Sequence, residues 1–198
     1  MVHMLRDPRD VARSSIQMGW AGTLYHGVGH WIATEAAWDD AMRGLDASAR
    51  PRILTLRYED LIAQVELRLR EVCGFLGLGY DPAMLSYHES TTYSAPDPSL
   101  IGQWRRKCGP REIAQLESRA GAVMAARGYA PAGPVRPLGR REVAALGLRD
   151  TAIAWREKVR RFGAVTFFGE RVTRRLRLER LNRTFRQRMA HERNRRAR

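Results

Sequence analysis

The sequence predicts an α/β fold followed by a basic helical extension. Three observations predict it: two short apolar runs that each end on an arginine, helical apolar spacing between and beyond them, and a change of charge near residue 136. The 198 residues, 44% hydrophobic, suffice for one core. The net charge of +14 is not spread along the chain: residues 1–135 carry 15 basic and 15 acidic side chains, whereas residues 136–198 carry 20 and 6. An anionic partner for the tail is therefore a natural expectation. Cys73 and Cys108 are too few for a disulfide framework or a four-thiolate zinc site, and they suit a reducing, cytoplasmic interior. No stretch has 18 consecutive apolar residues, and the opening residues reach Arg6 without the apolar core of an export signal.

Taken in order, Val2 to Leu5 reads as a strand, and Asp7-Pro8 as a cap and first helical residue for a helix from Pro8 to Met18. Asp10 suits the positive end of that helix dipole. Gly19, Gly22, Gly27 and Gly29 predict an irregular stretch, after which a helix runs from Trp31 to Leu45 with Ile32, Ala36, Met42 and Leu45 inward. Ile53 to Leu56 reads as a second buried strand. Asp60 is the expected cap of a helix whose stripe is Ile62, Val65, Leu69, Val72, Cys73 and Leu76, closed by Gly77 or Gly79. Residues 81–100 are loop-rich because Pro96 and Pro98 forbid a long helix. Pro110 to Arg127 carries a stripe of Ile113, Leu116, Ala120, Val123 and Met124 and stops at Gly128. Three prolines mark 131–139 as a linker. Beyond it, Trp155, Val159, Phe162, Val172, Leu176, Leu181, Phe185 and Met189 keep helical spacing among arginines.

Strand, sharp turn and helix start is a geometry in which backbone N–H groups and a helix dipole converge on an anion. Arg6 leaves the first strand and Ser14 follows two helical turns later. Together they offer a guanidinium fork and a short hydroxyl to one phosphate.

The segment Arg6-Asp7-Pro8-Arg9-Asp10-Val11-Ala12-Arg13-Ser14 resembles the 3'-phosphate-binding motif of sulfotransferases that use 3'-phosphoadenosine 5'-phosphosulfate (PAPS). The resemblance continues through Arg57-Tyr58-Glu59-Asp60-Leu61, Gly102-Gln103-Trp104-Arg105-Arg106 and Pro110-Arg111-Glu112-Ile113 to Arg127-Gly128-Tyr129, in the order of a bacterial sulfotransferase's C-terminal half. It implies a partial three-layer fold of the P-loop nucleoside-triphosphatase kind over residues 1–130, a linker at 131–139 and a basic helical extension at 140–198. It further implies that Arg6 and Ser14 hold the 3'-phosphate of PAPS or of its product PAP, with Arg105 a third nucleotide ligand and no metal required. The implied reaction moves a sulfuryl group to a hydroxyl or amine acceptor.

The family's Gly, Ser and Thr-rich 5'-phosphosulfate loop and its catalytic His or Glu are expected upstream of Met1. The expectation is thus a truncated product or a misplaced start, inactive alone, with no catalytic residue in this chain. Gly22-Thr23 does not replace the loop, because it follows a helix and lacks the basic residue.

Other candidates have plainer readings. His26 and His30 are four apart, but the glycines between them argue for a substrate-side loop over a metal site. His88 fits either a lining or a surface position. Glu59 and Asp60 sit where a catalytic carboxylate can lie, yet capping explains Asp60. His3, Cys73 and Trp104 read as core. The tail fits docking onto its own domain or peripheral contact with an anionic membrane; no nucleic-acid motif favours RNA or DNA. A non-catalytic basic protein binding an anionic membrane surface or nucleic acid through its C-terminal helices is the alternative function.

Overall fold

A computed structural model describes residues 1–46, 52–92 and 94–195, with side chains through residue 187. Strand β1 (Val2–Leu5) alternates outward Val2 and Met4 with buried His3 and Leu5, the period of two that a half-covered strand requires. It pairs in parallel with β2 (Leu54–Arg57), Val2 opposite Leu54 and Leu5 opposite Arg57. The expected short parallel sheet is present. The rest of the described chain is mainly helical, and the sheet among the described residues has two strands.

The parallel crossover is made by three helices: α1 (Pro8–Gln17), α2 (Leu24–Gly27) and α3 (Gly29–Arg43). Helix α1 begins as the sequence predicts, with Pro8 at its first position and Asp7 Oδ1 accepting from Arg9 N at 2.9 Å. Helix α2 replaces part of the irregular stretch expected from the glycines, because Thr23 supplies a cap. Gly27 lets α2 lie on α1: a Cβ there would stand 2.8 Å from the Ala12 carbonyl oxygen. On α3 the buried positions are Trp31 and Glu35, whereas Ala36, expected inward, is exposed. Its inner face is rotated because Glu35 is drawn in by Arg127, whose Nε lies 2.7 Å from Glu35 Oε2.

After β2 the helix expected as one element is two, α4 (Tyr58–Ala63) and α5 (Val65–Leu76), divided where Gln64 leaves helical geometry at φ −140°, ψ 58°. Because α4 starts directly at the strand end, Asp60 lies inside its first turn and complements the dipole there; it is not the cap. Gly77 closes α5 in the left-handed conformation at φ 71°, while Leu76, expected inward, is exposed. Short 3-10 turns at Pro82–Leu85, Tyr87–Glu89 and Pro98–Leu100 carry the chain to α6 (Trp104–Lys107) and α7 (Pro110–Ala126).

Four of these helices share one core. Ala12 from α1, Leu24 and Val28 around α2, Trp31 from α3, and Leu116, Ala120 and Met124 from α7 close over one another beside Tyr129. The stripe read on 110–127 thus faces inward. The basic extension forms α8 (Arg140–Phe162), α9 (Ala164–Arg175) and α10 (Glu179–Arg195). Helix α8 buries Leu146 and is tied to the start of α2 by Asp150, whose Oδ1 accepts from Gly22 N and Thr23 N. Trp155 meets Phe167 and Phe168 edge-on, each at 6.1 Å between centroids, and ties α9 to α8.

Candidate functional site

The chain turns sharply between β1 and α1, and Asp7 and Asp10 organise everything that surrounds the turn. Asp7 N donates to Glu59 Oε1 at 2.8 Å, which binds this turn to the start of α4. The Asp7 carboxylate accepts both Arg9 Nε (2.9 Å) and Arg9 Nη2 (2.8 Å), and also Trp104 Nε1 at 3.1 Å. Arg9 continues to Glu117 Oε1 at 3.0 Å and to the Ala130 carbonyl at 3.2 Å. A guanidinium only 4% exposed is tolerated because its fork is filled by two carboxylates and a carbonyl.

Asp10 is fully buried and accepts two backbone amides of a distant loop, Gly102 N at 2.8 Å and Trp104 N at 2.9 Å. Burial pushes its carboxyl above the ordinary range; the Trp104 amide bond opposes that, Asp7 adds to it, and the Gly102 amide and the Arg6 charge oppose it. The consequence is mechanical: the segment 102–105 is clamped to the first turn of α1. Two guanidiniums lie against the buried Trp104 ring, Arg9 at 3.9 Å and Arg105 at 4.3 Å from the centroid, so the exposed Arg105 is carried to this same end.

The remaining side chains of the motif are not consumed by this network. Arg6 stacks over the Tyr58 ring at 4.1 Å, and its Nε is buried without a hydrogen-bond partner. Arg13 Nε is likewise buried and unpartnered. Arg13 and Ser14 lie three and four residues beyond Asp10, hence on its side of α1. Helix geometry thus puts Ser14 on the face whose first turn Arg6 approaches closely enough to act on the Asp10 charge. Arg106 and Lys107 serve the loop itself, on the Ser99 carbonyl at 2.6 Å and Gln103 Oε1 at 3.2 Å.

Of the other candidates, Glu59 is committed to structure, accepting from Asp7 N and, at 3.2 Å, from the Tyr129 hydroxyl. Burial and the Glu59 charge push that hydroxyl well above the ordinary tyrosine range. His3 is packed in the core, stacked on Trp38 at 3.9 Å and 3.3 Å from Glu35. Cys73 and Trp104 are buried as read. His88 sits half-buried against Tyr87. His26 and His30 fall on separate helices, and no group of three metal-ligating side chains occurs among the described residues. Arg13 was legible only through its place beside Ser14; Asp150, far along the chain, carried no signal at all.

Residues 1–82 match the model of the sulfotransferase family. Among solved structures, the chain is similar to a sulfotransferase domain from the curacin biosynthetic pathway. The TM-score is 0.54 and the identity 18%, with 65% of this chain and 53% of that chain covered. The chain therefore spans about half the length of that domain, and at this identity the likeness is one of fold. A search of curated proteins finds no match.

Proposed function

We propose that this chain, whose first 82 residues carry the sulfotransferase family's pattern, binds the 3'-phosphate of PAPS and of PAP and belongs to an enzyme moving a sulfuryl group to a hydroxyl or amine acceptor. On this reading residues 1–130 are part of a three-layer sulfotransferase domain and residues 140–198 its basic extension. Arg6 and Ser14 grip the phosphate and Arg105 closes over it from the clamped loop. The supporting observation is the division of labour in the motif. Asp7, Arg9 and Asp10 are saturated with protein partners, while Arg6 and Arg13 each keep a buried Nε without a partner. Buried donors without partners cost stability unless a ligand satisfies them, and a phosphate with several acceptor oxygens suits guanidinium donors.

In the reaction this half of the site would hold and orient the nucleotide. The fit of the residues present is to its 3'-phosphate alone, and the chemistry PAPS supplies is an activated sulfuryl group. Calorimetry with PAP and with adenosine 5'-phosphate tests the reading directly. PAP should bind more tightly, and Arg6→Ala should weaken PAP by about 1.5–3 kcal/mol, the range for a charge-assisted hydrogen bond. Equal affinity for the two nucleotides, or an Arg6→Ala protein that remains folded and binds PAP unchanged, rejects the assignment.

A further inference from the structure

The basic extension contains a concave site of its own. Between α9 and α10 lies a cleft of about 720 Å3, and Arg174, Arg177, Arg183 and Arg186 line it against one carboxylate, that of Glu179. The two helices are locked together beside it. Phe185 of α10 closes on Gly169 of α9, where no Cβ would fit, and Asn182 Nδ2 donates to the Glu170 carbonyl at 2.9 Å and to Thr173 Oγ1 at 3.2 Å. The cleft is therefore preformed.

Its charges are not spent on the protein. Arg177, Arg183 and Arg186 have no hydrogen bond or ion pair among the described residues, and Arg174 comes no nearer to Glu170 Oε1 than 3.8 Å. Like charges gathered in one concavity repel, and an anion placed among them relieves that repulsion. Arg177 gives an independent sign. It stands at φ 56°, the left-handed position that ends α9, where its N–H donates to the Arg174 carbonyl at 3.2 Å and the next amide, Leu178 N, to the Thr173 carbonyl at 2.9 Å. Glycine takes that conformation freely, whereas an arginine there is strained. Strain at an exposed residue without a protein contact for its guanidinium is the pattern of a side chain held for a ligand.

We propose that the α9–α10 cleft binds a compact oligophosphate, a chain of two or three adjacent phosphoryl groups, through the guanidiniums of Arg174, Arg177, Arg183 and Arg186. Adjacent phosphoryl groups offer oxygens to several guanidinium forks at once, which a single phosphate does not. No aromatic side chain lines the cleft, so the bases of a nucleic-acid strand find no stacking surface. A bilayer also fits poorly. The exposed apolar residues Val172 and Leu176 share one face of α9, and Arg174, two residues from each, lies about 200° round the helix from them, whereas a membrane-surface helix needs both kinds on one side. The cleft lies outside the residues that match the sulfotransferase family, and the proposal does not depend on that reading.

The test is calorimetry on the whole chain with tripolyphosphate and orthophosphate at fixed ionic strength. Tripolyphosphate should bind about tenfold or more tightly than orthophosphate. Arg183→Ala combined with Arg186→Ala should weaken it by about tenfold, whereas Arg140→Ala combined with Arg141→Ala, which removes the same charge from exposed positions outside the cleft, should change it less than about twofold. Arg177→Gly relieves the backbone strain, so it should keep or raise the urea midpoint while binding tripolyphosphate about threefold or more weakly. Glu179→Gln should tighten binding, and Arg6→Ala should leave it as in the parent, which separates this cleft from the α1 end. Equal weakening by the two double variants, unchanged affinity in Arg177→Gly, or no gain in Glu179→Gln would overturn the proposal. So would phosphatidylserine vesicles or oligothymidylate binding more tightly than tripolyphosphate and losing that binding in the Arg183 and Arg186 double variant.

Discussion

Replacing Asp10 by alanine probes the device that clamps the 102–105 loop to the start of α1, the end proposed to hold the nucleotide. The carboxylate is fully buried and accepts Gly102 N at 2.8 Å and Trp104 N at 2.9 Å. Its removal leaves two buried N–H donors without acceptors, at about 1–3 kcal/mol each. Against this, the protein no longer holds a desolvated carboxylate, a cost that shows in the raised Asp10 titration and offsets part of the loss. The net expectation is a destabilisation of about 2–4 kcal/mol, a large share of an ordinary domain's stability. Urea unfolding measures it, and hydrogen exchange locates it: the Gly102 and Trp104 amides should exchange much faster, while amides in the α7 core change only with global stability. Because Arg105 rides on the released loop, PAP should also bind more weakly. A stability within about 0.5 kcal/mol of the parent, the range of an inert surface change, with unaltered exchange at Gly102 and Trp104, would refute the clamp.

Two further outcomes follow from the packing and the charges. Gly27→Ala should destabilise by about 1–3 kcal/mol in chemical denaturation, as overpacked cores do, because its Cβ would meet the Ala12 carbonyl at 2.8 Å; an unchanged midpoint would contradict the close approach of α1 and α2. Glu142 is held down to about 2 by Arg136 and then by the Gly139 amide, with burial opposing them. Its folded value lies below the unfolded one, so its contribution to anchoring α8 is present above the unfolded carboxyl range near 4.3 and disappears as pH falls through about 2. Carboxyl NMR titration should show this depressed value and Arg136→Ala should restore an ordinary one; a Glu142 that titrates normally in the parent would refute the pairing.

The local elements were legible where chemistry and spacing coincide. Asp7-Pro8 announced the start of α1, the stripe Ile113, Leu116, Ala120 and Met124 announced the buried face of α7, and Gly77 and Gly128 announced two helix ends. What failed were inferences that needed a neighbour. Ala36 turns outward because Arg127 claims Glu35 for the interior, and Asp60 loses its expected cap role because α4 begins at the very end of β2. Thr23 stabilises a helical turn that its glycine-rich surroundings concealed.

The candidate site divides in the same way. The order of residues by itself offered Arg6, Ser14 and Arg105 as candidates for one phosphate, because side-chain type and helical spacing travel with the local chain. Which arginines are spent on structure, and which remain free for a ligand, was decided only in three dimensions. Asp7 fills the Arg9 fork from two residues before it and Glu117 from 108 residues after it, and Asp10 reaches 94 residues ahead to Trp104. The same holds for Thr23, whose hydroxyl donates to Asp150 Oδ1 across 127 residues of sequence. Burial and hydrogen-bond saturation depend on what the fold brings alongside a group, and no window of sequence contains that information.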